Sequence, residues 1–212
     1  MNKNLLLTLA ALCTLTFSFA QEVPLEIEEE RKANRLFLNV VNKNLQDFDV
    51  AITVEGTGFR QRKGAPRKVR VPATSRVNLI SLVIERGKQP NYTYKLDVSD
   101  SLSRRVIKRE FELIKIRPKK AITLYITEKC ETCDTIVSGL EKSPYIYKTL
   151  TVNENESVKE QLGKAFVGAS VPLAEMKNPV VMLDGKMYIH IASYDDLMMR
   201  VEEEGEPKPI EE

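Results

Sequence analysis

Between Arg35 and Ile116 the chain shows no long run of apolar residues at helical spacing, and this limits its fold more than any other feature. Six short segments have strand character instead, at 35–41, 48–55, 68–71, 77–84, 92–98 and 111–116. Val50, Ile52 and Val54 alternate with Ala51 and Thr53, and the same period of two runs from Tyr92 to Val98. Turn residues separate the segments, notably Gly56 and Gly58, Gly64 and Pro66, and the stretch from Gly87 to Asn91. Short strands with turns between them predict an all-β, sandwich-like module over residues 34–118.

The N-terminus reads as a signal rather than as part of that module. Lys3 supplies a positive charge, a mostly apolar run covers 5–19, and small residues Ser18 and Ala20 precede Gln21. This is the layout of a cleavable secretory signal over residues 1–20, which places the mature protein in the periplasm or outside the cell. The apolar run falls short of the roughly 20 residues that span a bilayer. A lipid anchor on Cys13 would need a small residue before it, and Leu12 stands there. No later segment is apolar enough to span a membrane, so no transmembrane segment is expected. Residues 21–33 are glutamate-rich and read as a lead-in.

Loss of the signal removes Cys13 and leaves one thiol pair, Cys130 and Cys133. Exported proteins stapled by disulfides carry several bridges between distant parts of the chain. A single Cys-x-x-Cys with no other thiol is the count of a redox site. Charge supplies a boundary: residues 58–120 hold 18 Lys and Arg against 5 Asp and Glu, whereas residues 121–212 hold 9 against 17. The change falls at Pro118, Lys119 and Lys120.

Beyond Lys120 the periodicity changes. Residues 121–126 read as a buried strand, 130–140 as a helix ended by Ser143 and Pro144, and 145–152 as a second strand. Val158, Leu162 and Phe166 mark a helix over 155–166. Residues 180–183 and 187–191 flank Asp184 and Gly185, a hairpin signal. Tyr194, Leu197, Met198 and Val201 share one face of a closing helix over 193–204. Residues 206–212 form an acidic, disordered tail.

Four pieces of this region together resemble the glutaredoxin branch of the thioredoxin fold. They are Leu124 to Cys133 with both cysteines, Asn178 to Val181, Asp184 to Lys186, and Ala192 to Leu197. The resemblance implies an α/β thioredoxin-like domain of glutaredoxin type, β-α-β-α-β-β-α, over residues 121–205. It implies thiol–disulfide oxidoreductase activity on protein thiols and disulfides, with Cys130 as nucleophile, Cys133 as resolving thiol and no cofactor beyond the redox-active disulfide. It also implies that Pro179 follows a cis peptide, that Asn178 offers its backbone to the substrate chain, and that Lys129 lines the substrate side. Independently of the family, a cysteine at a helix N-terminus gains thiolate stability from free N–H groups and the helix dipole.

The sequence departs from that family at three places. Glu131 and Thr132 stand between the cysteines, where Glu131 opposes ionisation of Cys130 and Lys129 favours it. Together they imply a less acidic nucleophile and a more reducing couple. Ala192 and Ser193 replace a Gly-Gly turn that faces glutathione, which argues against glutathione binding. Residues 168–175 make a long approach to Pro179.

Competing readings attach to the same residues. The pair could be a structural bridge in a non-catalytic binding protein, although so short a loop is a poor staple. Zinc would need two ligands beyond the cysteines, drawn from His190 and carboxylates. His190 itself reads as a packed or edge residue in a strand pattern. The basic stretch from Arg60 to Arg76 lacks the interleaved aromatics that stack on bases, so no nucleic-acid partner is expected. A solvated face is the plainer reading of that stretch, and weak association with an anionic envelope surface is the other.

Overall fold

The computed structural model describes residues 25–62, 64–167 and 171–203. The expected signal, the tail at 206–212 and Gly168, Ala169 and Ser170 of the approach to Pro179 lie outside the described residues.

The first half is built from two antiparallel sheets that share one core. One sheet holds β1 (Leu25–Lys32), β2 (Arg35–Asn42), β6 (Ser75–Ile84) and β4 (Phe59–Arg60) in that order, with β8 (Phe111–Leu113) also paired to β6. The other holds β5 (Val69–Val71), β3 (Phe48–Thr57) and β7 (Asn91–Ser99). Period two explains the shared core. Leu36, Leu38 and Val40 of β2 and Phe48, Val50, Ile52 and Val54 of β3 all point inward. On β6 the inward set changes parity, from Val77 and Leu79 to Leu82 and Ile84. A bulge accounts for it: Leu38 pairs with Ile80 and Asn39 with Asn78, which leaves Leu79 as the extra residue.

Two of these strands carry no clear sequence signal. Leu25–Lys32, read as part of a lead-in, pairs with β2 along its whole length. Its glutamates stay tolerable because cations meet them: Arg76 lies 3.0 Å from Glu28 and 3.3 Å from Glu30, and Lys43 lies 2.6 Å from Glu26. The charged edge also discourages pairing with foreign strands. β4 is too short to show a period.

The second half contains a four-stranded mixed sheet in the order β10 (Tyr147–Thr151), β9 (Ile122–Ile126), β11 (Val180–Leu183) and β12 (Lys186–Tyr188). β9 and β10 are parallel; β11 is antiparallel to both β9 and β12. Ile122 and Leu124 pack with Ile136 and Leu140 of α1 (Cys133–Lys142) and Leu197 and Val201 of α3 (Tyr194–Glu202). Tyr125 faces a smaller cluster with Leu162 of α2 (Glu156–Ala165). Asp184 and Gly185 take φ of 52° and 86°, the left-handed pair that a two-residue hairpin turn requires.

These elements correct the fold class expected from the sequence. The described residues are mostly β, with 42% of them in strands, 18% helical and three sheets. This is not the α/β thioredoxin-like pattern of glutaredoxin type expected after an all-β module. Helical spacing overstated the helices, since Cys130, Phe166 and Ser193 all lie outside them. Strand was understated, because β1 alternates only over Leu25 to Glu28 within a glutamate-rich run and β4 has two residues.

The join between the halves is not slack. The Ile116 N–H donates to the Pro144 carbonyl at 2.7 Å, and the Ile146 N–H donates to the Ile116 carbonyl at 2.8 Å. Lys115 Nζ donates to the carbonyls of Leu140 at 3.4 Å, Glu141 at 2.7 Å and Ser143. An ammonium group thus sits where the last carbonyls of α1 lack helical partners. Among the described residues, no helix is long and apolar enough to cross a membrane.

Candidate functional site

Cys130 and Cys133 lie in the turn that carries the chain from β9 into α1. The turn starts at Thr127, a buried residue whose Oγ1 donates to the Met176 carbonyl at 3.0 Å. The Cys130 N–H then donates back to the Thr127 carbonyl at 3.3 Å. The N–H groups of Glu131 and Thr132 both donate to the Lys177 carbonyl, at 2.8 and 3.4 Å. Thr132 Oγ1 donates to Asn178 Oδ1 at 3.1 Å. Residues 176–178 therefore clamp the loop between the cysteines through main-chain and side-chain bonds.

Helix α1 begins at Cys133, three residues later than the spacing predicts, with Thr132 as its N-cap. Thr132 forms no side-chain cap, because its hydroxyl is turned to Asn178. The first N–H groups of α1 thus lack a side-chain cap beside Cys133, at the positive end of the helix dipole. The two sulfurs are bonded, with Cα atoms 5.7 Å apart. Cys133 is 4% exposed, whereas Cys130 is only half-buried. Cys130 is thus the more accessible residue of the pair.

The charged neighbours are arranged differently from the expectation that they act on the thiols alone. Glu131 Oε1 lies 2.9 Å from Lys177 Nζ, and Lys129 Nζ lies 4.0 Å from Glu175 Oε1. All four side chains are well exposed, so each pair is worth little in stability. Each nevertheless has a partner of opposite sign on the 175–177 segment, which offsets much of its effect on a thiolate.

The remaining expected site residues are placed as follows. The Asn178–Pro179 peptide is trans, not cis, which corrects the role carried over from the resemblance. Trans is the ordinary state of an X-Pro bond. Asn178 braces Thr132, and Pro179 is buried at the start of β11. His190 is exposed just beyond β12. Ser193 Oγ accepts from the Asp196 N–H at 3.1 Å and caps α3. Among the described residues, no group of three His, Cys, Asp or Glu comes together to hold a metal ion.

The basic stretch does not form one surface. Arg70 Nε meets Asp49 at 2.5 Å, Arg76 meets Glu28 and Glu30, and Lys68 lies 3.4 Å from Asp97. Sequence reasoning missed Thr127 and the carbonyls of Met176 and Lys177. A lone threonine at a strand end is a weak signal, and main-chain acceptors leave none. No protein-family model, curated protein or solved structure matches the chain.

Proposed function

We propose that Cys130 and Cys133 are a redox-active pair that exchanges disulfides with protein thiols, and that the chain is exported to do so. The observation that carries the reading is the asymmetry of the pair, residue Cys130 partly exposed and residue Cys133 4% exposed, in the turn that leads into α1, whose first N–H groups lack a side-chain cap. In the reduced form, the Cys130 thiolate attacks a substrate disulfide and forms a mixed disulfide, releasing the first substrate sulfur as a thiolate. Cys133 then loses its proton and attacks Cys130 Sγ. The second substrate sulfur leaves, and the Cys130–Cys133 bond returns. Two electrons pass to the substrate, and no further cofactor enters. The opposite direction uses the same steps in reverse.

Several features support this reading. A disulfide closing so short a loop adds little stability, so a purely structural purpose is a weak explanation. The clamp from Lys177 and Asn178 holds backbone and Thr132 rather than either sulfur, leaving Cys130 free to react. Export follows from the sequence pattern of residues 1–20.

The test is the reduction potential of the pair, with turnover in an insulin-reduction assay. A reversible couple between about −150 and −270 mV, with turnover lost in Cys130→Ser, is expected. A potential below about −300 mV without turnover would make the pair structural and the protein a binding module.

A further inference from the structure

The two sheets of the first half are each missing pairing at the same place. On one side of β6, β4 pairs with Ile84 and Val83 and β8 with Ser75, Arg76 and Val77. Among the described residues, no strand pairs with residues 78–82 on that side. In the other sheet, β7 pairs with Asp49 to Thr57 of β3, but among the described residues β5 reaches only Phe48, Asp49 and Val50. Residues 51–57 are left open on the β5 side. Both gaps open on one cavity of about 770 Å3.

The cavity has an apolar floor of Ile52, Val54, Leu79, Ile80 and Ile107. Side chains stand in where strand partners are missing. Gln61 Nε2 donates to the Val54 carbonyl at 2.8 Å, and Arg109 Nη1 donates to the Asn78 carbonyl at 3.0 Å. Leu79 is the bulge residue of β6, and bulges commonly mark where pairing ends or is re-aimed. Arg62, Arg67 and Arg109 line the rim. None of them forms an ion pair among the described residues, and the lining contains no Asp or Glu.

We propose that this slot binds an extended acidic segment of a partner protein by strand addition. The open edges of β3 and β6 offer main-chain hydrogen bonds, the floor takes every second side chain, and the arginines meet carboxylates on the alternate ones. Residues 78–82 span about 16 Å at roughly 3.3 Å per residue, enough to seat five residues of an added strand. Charge selects the partner. An acidic, alternating peptide fits, and a basic one is repelled. Binding here does not involve the cysteines, so it stands or falls apart from the exchange chemistry.

The experiment is fluorescence anisotropy on the purified full chain with a labelled hexapeptide of alternating Glu and Val. Two control peptides carry N-methyl groups on alternate amides, or Lys in place of Glu. A charge-reversed variant, Arg62→Glu with Arg67→Glu, alters only exposed side chains, and its thermal unfolding confirms that it folds. Binding of the acidic peptide is expected, weakened at least about tenfold by N-methylation and by charge reversal, and absent for the lysine peptide. Repeating it with dithiothreitol should change nothing. The proposal is overturned if the N-methylated peptide binds equally well, since strand addition needs those N–H groups. It is also overturned if charge reversal has no effect, or if the acidic peptide binds more weakly than about 1 mM. Binding of sodium dodecanoate without binding of the peptide would identify a lipid-type pocket and overturn it too.

Discussion

Asp49, on the central strand of its sheet in the first half, and Cys133, at the start of α1 in the second, are both buried, yet they are surrounded in opposite ways. Asp49 is wholly buried and its carboxylate accepts from Arg70 Nε at 2.5 Å, Arg70 Nη2 at 3.4 Å and the Ser103 N–H at 2.6 Å. That pairing holds β3, β5 and the loop after β7 together, and it also raises the pKa of Arg70. The Cys133 sulfur is bonded to that of the partly buried Cys130, and the hydrogen bonds nearby secure backbone around it. A buried carboxylate held on both oxygens by three donors is structural. A buried group bonded to a more accessible one is the arrangement that the proposed exchange requires.

That contrast can be broken or sharpened by substitution, beginning with the largest effect. Asp49→Ala leaves Arg70 and the Ser103 N–H without their acceptor and should cost about 3–5 kcal/mol in urea unfolding. Thiol turnover per folded molecule should remain unchanged; a parallel loss would show that the halves are coupled. Gly139→Ala comes next. A Cβ there would meet the Tyr194 ring at 2.6 Å, so α1 and α3 must part. Overpacking of about 1–3 kcal/mol should outweigh the roughly 1 kcal/mol gained in helix propensity, and thermal unfolding reads the balance. Ser193→Ala removes the cap of α3 and should cost about 1 kcal/mol by the same measurement.

The smallest effects are electrostatic. Lys115→Met uncaps the C-terminus of α1 and should cost about 0.3–1 kcal/mol, falling as salt is raised. Glu30 is held below the usual carboxylate range, first by its bond to Lys32 and then by Arg76. Its folded pKa lies below the unfolded one, so its contribution is present above the unfolded value and lost as pH falls through the folded one. Hydrogen exchange should therefore show β1 loosening in acid before β2 does.

How far the sequence could be read varies with the kind of signal. β3 and β7 were legible because their apolar and polar residue types alternate, although in β3 the burial itself alternates only from Ile52 to Glu55. The Asp184–Gly185 turn was legible because few residues tolerate both left-handed positions. β1 was not, since its glutamates are made tolerable by Arg76 and Lys43 from distant parts of the chain. At the site, the cysteine pair could be picked out as side chains, whereas Asn178 was named for its backbone and its side-chain bond to Thr132 was not foreseen. The trans Asn178–Pro179 bond and the Lys177 carbonyl could not, because backbone geometry and main-chain acceptors are invisible to residue type. The charges of Lys129 and Glu131 were legible, but their partners on the 175–177 segment were not.

The attachment of Lys115 and Ile116 to α1 and to the Pro144–Ile146 turn bears on how this protein could be cut and recombined. A graft of the thiol-bearing half that started at Ala121, where the charge changes sign, would leave behind the ammonium group beneath α1 and the strand-like bridge beside Tyr145. The portable unit begins six residues earlier, so any shuffling event that preserved its stability would carry a short basic stub of the neighbouring module as a hereditary seam.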